Sequence, residues 1–181
     1  YLDGKKSIIF EADTDNTSDT QEDRELYSMI IETEAVFAPI KRFTQNDMTD
    51  SVPCFAKSNG KDSLFWYQNG NIAYTTDGKT IKYVFEEDAK PLIGQEFSVL
   101  QGDSGKVSIV WTTTSAEEDE GIIWYRTDFN GQAWSKPYKA GNLQGSYTCK
   151  MNGILKGDIQ AVYLGTEKQN SGEKSNIYLL T

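Results

Sequence analysis

The chain is written in short apolar bursts. β-Branched and aromatic residues take every second position, or fill short unbroken runs, in FSVLQG from Phe97, KVSIVW from Lys106 and IQAVYL from Ile159, which is how strands with one or both faces covered read. Glycine marks the breaks between bursts, as in NGK at Asn59, QNGN at Gln68, TTDGK at Thr75, GDSGK at Gly102, FNGQ at Phe129 and NGILKG at Asn152. Such residues supply the backbone conformations that tight turns between antiparallel strands need. No window carries apolar positions at helical spacing, so the pattern predicts an all-β chain.

The bursts recur as a phrase: a strand ending in an aromatic pair, a polar loop, an Ile/Leu-aromatic strand, then a turn with Asp and Gly. The sharpest copy runs from Lys106 to Tyr138, and blurred copies start at Lys5, Asp62 and Asp158. A strand-only repeat of about 40–50 residues predicts a β-propeller-like array of about four blades, each a four-stranded antiparallel sheet, at about residues 5–45, 50–88, 95–140 and 145–181. With strands named a to d outward from the axis, the second blade reads SVPCFAK, DSLFWYQ, NIAYTTD, IKYVFEE and the third EFSVLQG, KVSIVWT, GIIWYRT, AWSKPYK. The first begins at b (KKSIIFEA, RELYSMIIE, VFAPIKRF) and the last stops at c (SYTCKMN, DIQAVYLG, SNIYLLT). The first and last blades are thus incomplete and do not complete each other. Three arrangements accommodate this: a piece of a propeller with more blades, imperfect closure, or an edge-paired homodimer.

Charge narrows the partners. Eighteen basic against 27 acidic residues give a net charge of −9, which disfavours nucleic acid and anionic membrane surfaces and leaves cationic ligands, calcium or neutral sugars. Apolar runs such as IIF from Ile8 and GIIWY from Gly121 are too short to cross a bilayer, so no membrane insertion is expected. The chain has neither an initiating Met nor a signal-peptide pattern and reads as a piece of a longer protein. Cys54 and Cys149 fall on the first strands of blades that are not neighbours, so two free, buried thiols are expected rather than a bridge.

Two turns carry a family likeness. RTDFNGQAW from Arg126 to Trp134 and TTDGKTI from Thr75 to Ile81 resemble the Asp-box (BNR-type) hairpin of sialidase-like propellers, Ser-x-Asp-x-Gly-x-Thr-Trp. The resemblance implies an Asp that accepts hydrogen bonds from turn amides, a Gly at positive φ and an aromatic ring beneath the loop. Asp128, Gly131 and Trp134 fit those roles with one extra residue between Asp and Gly. Asp77 and Gly78 fit with one residue fewer, and Ile81 replaces the aromatic. The other two repeats carry no box.

Sialidase activity, the chemistry this likeness raises, needs three arginines on the substrate carboxylate, a Tyr/Glu nucleophile and an acidic proton donor. The chain has only Arg24, Arg42 and Arg126, predicted at a loop end, on an outer strand and near the end of a c strand, away from the inward positions required. Absence of histidine excludes His-based triads and metal sites. No catalytic residue is assigned. The run ADTDNTSDTQED offers Asp13, Asp15 and Asp19 as oxygen ligands for calcium, the one cofactor considered. A solvated loop is the plainer reading. Long polar b–c connections at Asp13–Asp23, Ser115–Glu120 and Thr166–Ser175 would form an acidic rim on one face. Trp66, Trp111, Trp124 and Trp134 recur regularly, which points to packing between blades before a sugar-stacking platform.

These features lead to the expectation of a non-catalytic binding or scaffolding module of a secreted or cell-surface bacterial protein, with carbohydrate or protein as its ligand. The alternative is part of a glycoside-processing, sialidase-like enzyme whose site is completed by missing blades; a plain spacer is the third reading.

Overall fold

The computed structural model describes residues 1–2, 4–13, 24–34, 36–58, 60–86, 97–101, 106–114, 122–130, 132–143, 147–152, 161–169 and 172–180, with backbone alone at Ser58, 112–114, 122–124 and from Ala140 onward. The described residues form strands and turns with no helix, and so none long and apolar enough to cross a membrane. The chain divides into two units, Tyr1–Pro91 and Leu92–Thr181.

The first unit holds two sheets. In one, β1 (Ser7–Ala12) pairs antiparallel with β2 (Glu25–Thr33), whose far side is met by two short pieces, β3 (Val36–Phe37) and β4 (Lys41–Arg42). Pro39 lies between those pieces and cannot donate to a ladder, which keeps the outer strand broken. The other sheet is a plain meander of β5 (Asp50–Ser58), β6 (Lys61–Gln68), β7 (Asn71–Thr75) and β8 (Lys82–Tyr83). Leu64, Phe65 and Trp66 are buried in succession along β6, so this strand is covered on both faces, which explains why it reads as a run and not as an alternation. The core between the two sheets is Leu2, Leu26, Leu64, Trp66 and Ala73, with Ile9 and Phe43 against it. The Phe43 ring stands edge-on to Trp66 at 6.0 Å and 85°, the favourable quadrupolar arrangement.

The second unit repeats the plan, with a four-stranded meander of β9 (Phe97–Gln101), β10 (Val107–Thr114), β11 (Ile122–Phe129) and β12 (Tyr138–Leu143). A three-stranded meander follows, β13 (Tyr147–Asn152), β14 (Ala161–Gln169) and β15 (Gly172–Leu180). Phe97, Leu100, Val107, Ile109, Val110 and Trp111 are buried here. The fold class is therefore all-β, built of successive up-and-down, propeller-like sheets.

A shared device underlies the repeated phrase. Phe10 opposite Tyr27, Phe65 opposite Tyr74 and Trp111 opposite Tyr125 each stack across the second and third strands of a blade, at 5.9, 5.5 and 5.9 Å. In the last sheet the register sets Tyr163 opposite Tyr178. Such cross-strand pairs contribute about 0.2–1 kcal/mol each and help fix register.

Three expectations are corrected. The outer strand expected in AWSKPYK is displaced: Trp134 makes a single bridge to Phe129, and β12 begins only at Tyr138, after Pro137, which cannot donate to a ladder. The outer strand IKYVFEE shrinks to Lys82–Tyr83, extended by one bond from Val84 N–H to the Ile72 carbonyl at 2.9 Å. Residues 166–169 and 172–175 do not form a long loop but continue the β14–β15 hairpin, where Glu167 opposes Lys174 and Lys168 opposes Glu173.

Candidate functional site

The densest set of charged and polar side chains among the described residues lies where β1 and β2 meet the start of β5. Asp50 opens β5 fully buried and accepts from Trp66 Nε1 at 2.8 Å, Gln68 Nε2 at 2.6 Å and Asn46 Nδ2 at 2.7 Å. Gln68 in turn accepts from the Tyr83 hydroxyl. Burial, ahead of the opposing bonds from Asn46, Gln68, Thr44 and Trp66, lifts the Asp50 carboxyl above the usual range. Glu25, also buried, accepts from Arg42 Nη2 at 2.6 Å and Asn46 N–H at 2.9 Å. Burial works to raise its carboxyl, but the Thr44 hydroxyl, the Asn46 amide and Arg42 outweigh that and hold it below the usual range.

Beside this pair, Glu11 at the end of β1 accepts from Arg24 Nη1 at 3.0 Å through one oxygen and from Val52 N–H at 2.9 Å through the other. Val52 has φ 54° and precedes Pro53, at a register shift between Ser51 and Cys54. A β-branched residue in the left-handed region costs about 1–3 kcal/mol and persists only where its surroundings hold it. Here Glu11 and the bond from Asp50 N–H to the Arg24 carbonyl, 2.8 Å, do so.

The two Asp-box-like turns differ. Asp77 Oδ1 accepts from Lys79 N–H at 2.8 Å, Thr80 N–H at 2.7 Å and the Thr75 hydroxyl at 3.0 Å, while Oδ2 accepts from the Thr80 hydroxyl at 2.8 Å. The two amides lead in holding its carboxyl well below the usual range. Gly78 has φ 71°, and a Cβ placed there would lie 3.3 Å from Leu2 Cγ. In the second turn the expected role of Asp128 is corrected, since it is Asn130 Oδ1 that accepts from Gln132 and Ala133 N–H, both at 2.9 Å. Strand β11 runs on through Phe129, so Asp128 still stands in the ladder opposite Ser108, its carboxylate turned to the sheet surface. There it accepts from Ser108 Oγ, Arg126 Nε at 2.7 Å and Tyr138 Oη at 2.9 Å. These donors outweigh burial and lower Asp128, whereas burial and the bond to Asp128 push Tyr138 up to about 12. Trp134 packs on Phe129 at 5.1 Å, and Gly131 lies outside the described residues.

All three arginines of the chain are thereby engaged by an internal carboxylate: Arg24 by Glu11, Arg42 by Glu25 and Arg126 by Asp128. Of the calcium candidates, Asp13 lies just beyond β1, whereas Asp15 and Asp19 are outside the described residues, as are residues 115–120, expected as a b–c connection. Among the described residues no group of three or more potential ligands converges. Trp66 and Trp111 are fully buried and offer no face to a sugar. Cys54 is a free thiol that burial pushes up to about 12; the side chain of Cys149 is outside the described set. The buried acids Glu25 and Asp50 had no signal in composition or spacing. A hint lay in their position immediately at the start of strands, next to polar residues that must be satisfied once covered.

No protein-family model matches the chain, and no curated protein does. Among solved structures, it is similar to the α-L-arabinofuranosidase from Lactobacillus brevis, at 13% identity and TM-score 0.57, over 100% of this chain and 70% of that one. It is also aligned with the intramolecular trans-sialidase from Ruminococcus gnavus in complex with oseltamivir carboxylate, at 9% identity and TM-score 0.45, over 87% of this chain and 41% of that one. At such identity the first likeness is one of fold.

Proposed function

We propose that the chain is a non-catalytic binding or scaffolding module of a secreted or cell-surface bacterial protein, with a carbohydrate or protein ligand. The observation that supports this reading is the engagement of all three arginines: Arg24, Arg42 and Arg126 each sit on an internal carboxylate and leave no guanidinium cluster for an anionic sugar. Glu25 and Asp50, the most deeply buried acids of the junction, are likewise bonded from within. A carboxylate so enclosed is a structural anchor rather than a general acid within reach of a glycosidic oxygen.

The alternative, a share in a glycoside-processing enzyme, is favoured by one feature: the likeness of fold to the α-L-arabinofuranosidase over the whole of this chain. Both readings are tested together by incubating the chain with 4-nitrophenyl α-L-arabinofuranoside and 4-methylumbelliferyl sialoside, and by titrating it with arabinan and sialyllactose. Saturable binding without turnover is the expected result. Turnover of either glycoside would overturn the binding reading.

A further inference from the structure

The hairpin between β6 and β7 closes through two residues. Gln68 pairs with Asn71, so Asn69 at φ 43° and Gly70 at φ 77° make up the whole loop. Positive φ at both central positions defines the type I′ turn, which suits the twist of antiparallel strands and favours the dipeptide Asn-Gly. Both flanks are clamped in the interior. Gln68, 3% exposed, donates from Nε2 to Asp50 Oδ1 and accepts from the Tyr83 hydroxyl. Asn71, 4% exposed, donates from Nδ2 to the Phe85 carbonyl at 3.0 Å and accepts from Ile72 N–H at 2.8 Å. Asn69 itself is exposed.

Asn-Gly occurs four times, at Asn59, Asn69, Asn130 and Asn152, and Asn69–Gly70 is the pair of which both residues are described. Such a pair carries a covalent reaction of its own, because glycine has no side chain to shield its backbone nitrogen. The Gly70 nitrogen attacks Asn69 Cγ, the Cγ–Nδ2 bond breaks, and ammonia leaves with the proton that the Gly70 nitrogen gives up. Water then opens the five-membered imide at one of its two carbonyls, giving aspartate or isoaspartate, the latter with the main chain running through Cβ and Cγ. The turn controls the first step. Type I′ geometry sets ψ of Asn69 near about +30°, which places Cβ and the Gly70 nitrogen nearly anti about the Cα–C bond, whereas ring closure needs them nearly eclipsed. Rotating ψ that far breaks the Gln68–Asn71 pairing, and the buried bonds of both flanks resist it.

We propose that Asn69 is a modification site gated by this hairpin: its side-chain amide converts only in chains whose β6–β7 turn has opened, and the isoaspartyl product blocks reclosure. Aspartate keeps the length of the loop and, followed by Gly70, still suits the turn. Isoaspartate adds a main-chain atom to a loop of two residues, so Gln68 and Asn71 no longer meet in register and Gln68 is drawn off Asp50. An unfolding excursion is thereby recorded in the chain as a permanent loss of the hairpin.

The whole chain is aged at pH 8 in plain buffer and in guanidinium chloride, and conversion of Asn69 is followed by peptide mapping with mass spectrometry. The rate in buffer is expected to be lower by about tenfold or more, since only the opened fraction reacts; a rate within about twofold of that in denaturant overturns the gate. The denaturant-aged chain is then refolded by dilution and pulsed with thermolysin. Aspartate at position 69 survives digestion as often as unreacted Asn69, whereas isoaspartate is concentrated among the digested chains. Equal survival of isoaspartate overturns the block on reclosure. Conversions at Asn59, Asn130 and Asn152 bear on all three species alike. A chain that does not refold is read in buffer alone: Asn71→Ser, which removes the bond to Phe85, speeds conversion of Asn69 several-fold, and an unchanged rate overturns the gate.

Discussion

Replacing Asp50 measures what the buried junction contributes. Asp50→Ala leaves Trp66 Nε1, Gln68 Nε2 and Asn46 Nδ2, together with the Thr44 hydroxyl, without their acceptor. An orphaned buried donor costs about 1–3 kcal/mol, so with partial relaxation the variant loses about 3–5 kcal/mol. That is a large share of a domain stability of about 5–15 kcal/mol. Asp50→Asn retains Oδ1, which serves both Trp66 and Gln68, and sets its amide against Asn46 Nδ2; it loses about 1–2 kcal/mol. In urea denaturation followed by tryptophan fluorescence, a slope of about 2 kcal/mol/M turns these into midpoint shifts of about 1.5–2.5 M and 0.5–1 M. The sign with pH is also fixed. The folded carboxyl is raised, so its contribution is full below the unfolded value near 4 and is lost as pH rises through the folded value. The advantage of wild type over Asp50→Asn therefore narrows with rising pH. Equal losses for the Ala and Asn variants, or a loss below about 1 kcal/mol for Asp50→Ala, would refute the assignment of these bonds as a buried anchor.

Three further outcomes follow from the turns. Asp77, held low by turn amides, gives stability that is full above the unfolded value near 4 and is lost progressively as pH falls through the folded value; the Tm gap between wild type and Asp77→Ala, read by calorimetry at pH 7 and pH 2.5, narrows at the lower pH. Gly78→Ala forces a side chain to φ 71° and against Leu2, lowering stability by about 1–2 kcal/mol, whereas Asn at this position, tolerant of that φ, costs less in the same urea titration. Tyr138 ionises at about 12, and ultraviolet titration at the phenolate band finds its midpoint lower in Asp128→Asn, because the acceptor that raised it no longer carries charge.

Strand content and blade succession were legible because side-chain period, glycine turns and aromatic placement act locally. The stacked pairs Phe10/Tyr27, Phe65/Tyr74 and Trp111/Tyr125 are the physical form of the repeated phrase. The choice between Asp128 and Asn130 as turn acceptor was not legible, since both can accept amides and only the phase of β11 decides which one faces the turn. Residues 166–169 and 172–175 read as a loop because they are polar, whereas the register sets Glu167 opposite Lys174 and Lys168 opposite Glu173, an opposition that no local pattern reveals. Glu25 and Asp50 escaped notice for a similar reason. Acids read as surface until the elements covering them are placed, and their partners Arg42, Asn46, Trp66 and Gln68 come from other strands and turns.

The left-handed Val52 decides which way a whole strand end faces. Beyond the register shift, Asp50 stands opposite Gln68 and Ser51 opposite Tyr67, whereas Cys54 and Phe55 oppose Phe65 and Leu64. Without the extra residue Ser51 would stand opposite Gln68, and Asp50 would turn to the other side of the sheet. The indole of Trp66 would then meet a hydroxyl-bearing strand and lose its carboxylate. The Glu11 carboxylate, by gripping the Val52 amide, thus works as a phase selector: a residue of the first sheet sets the inside and outside of the second.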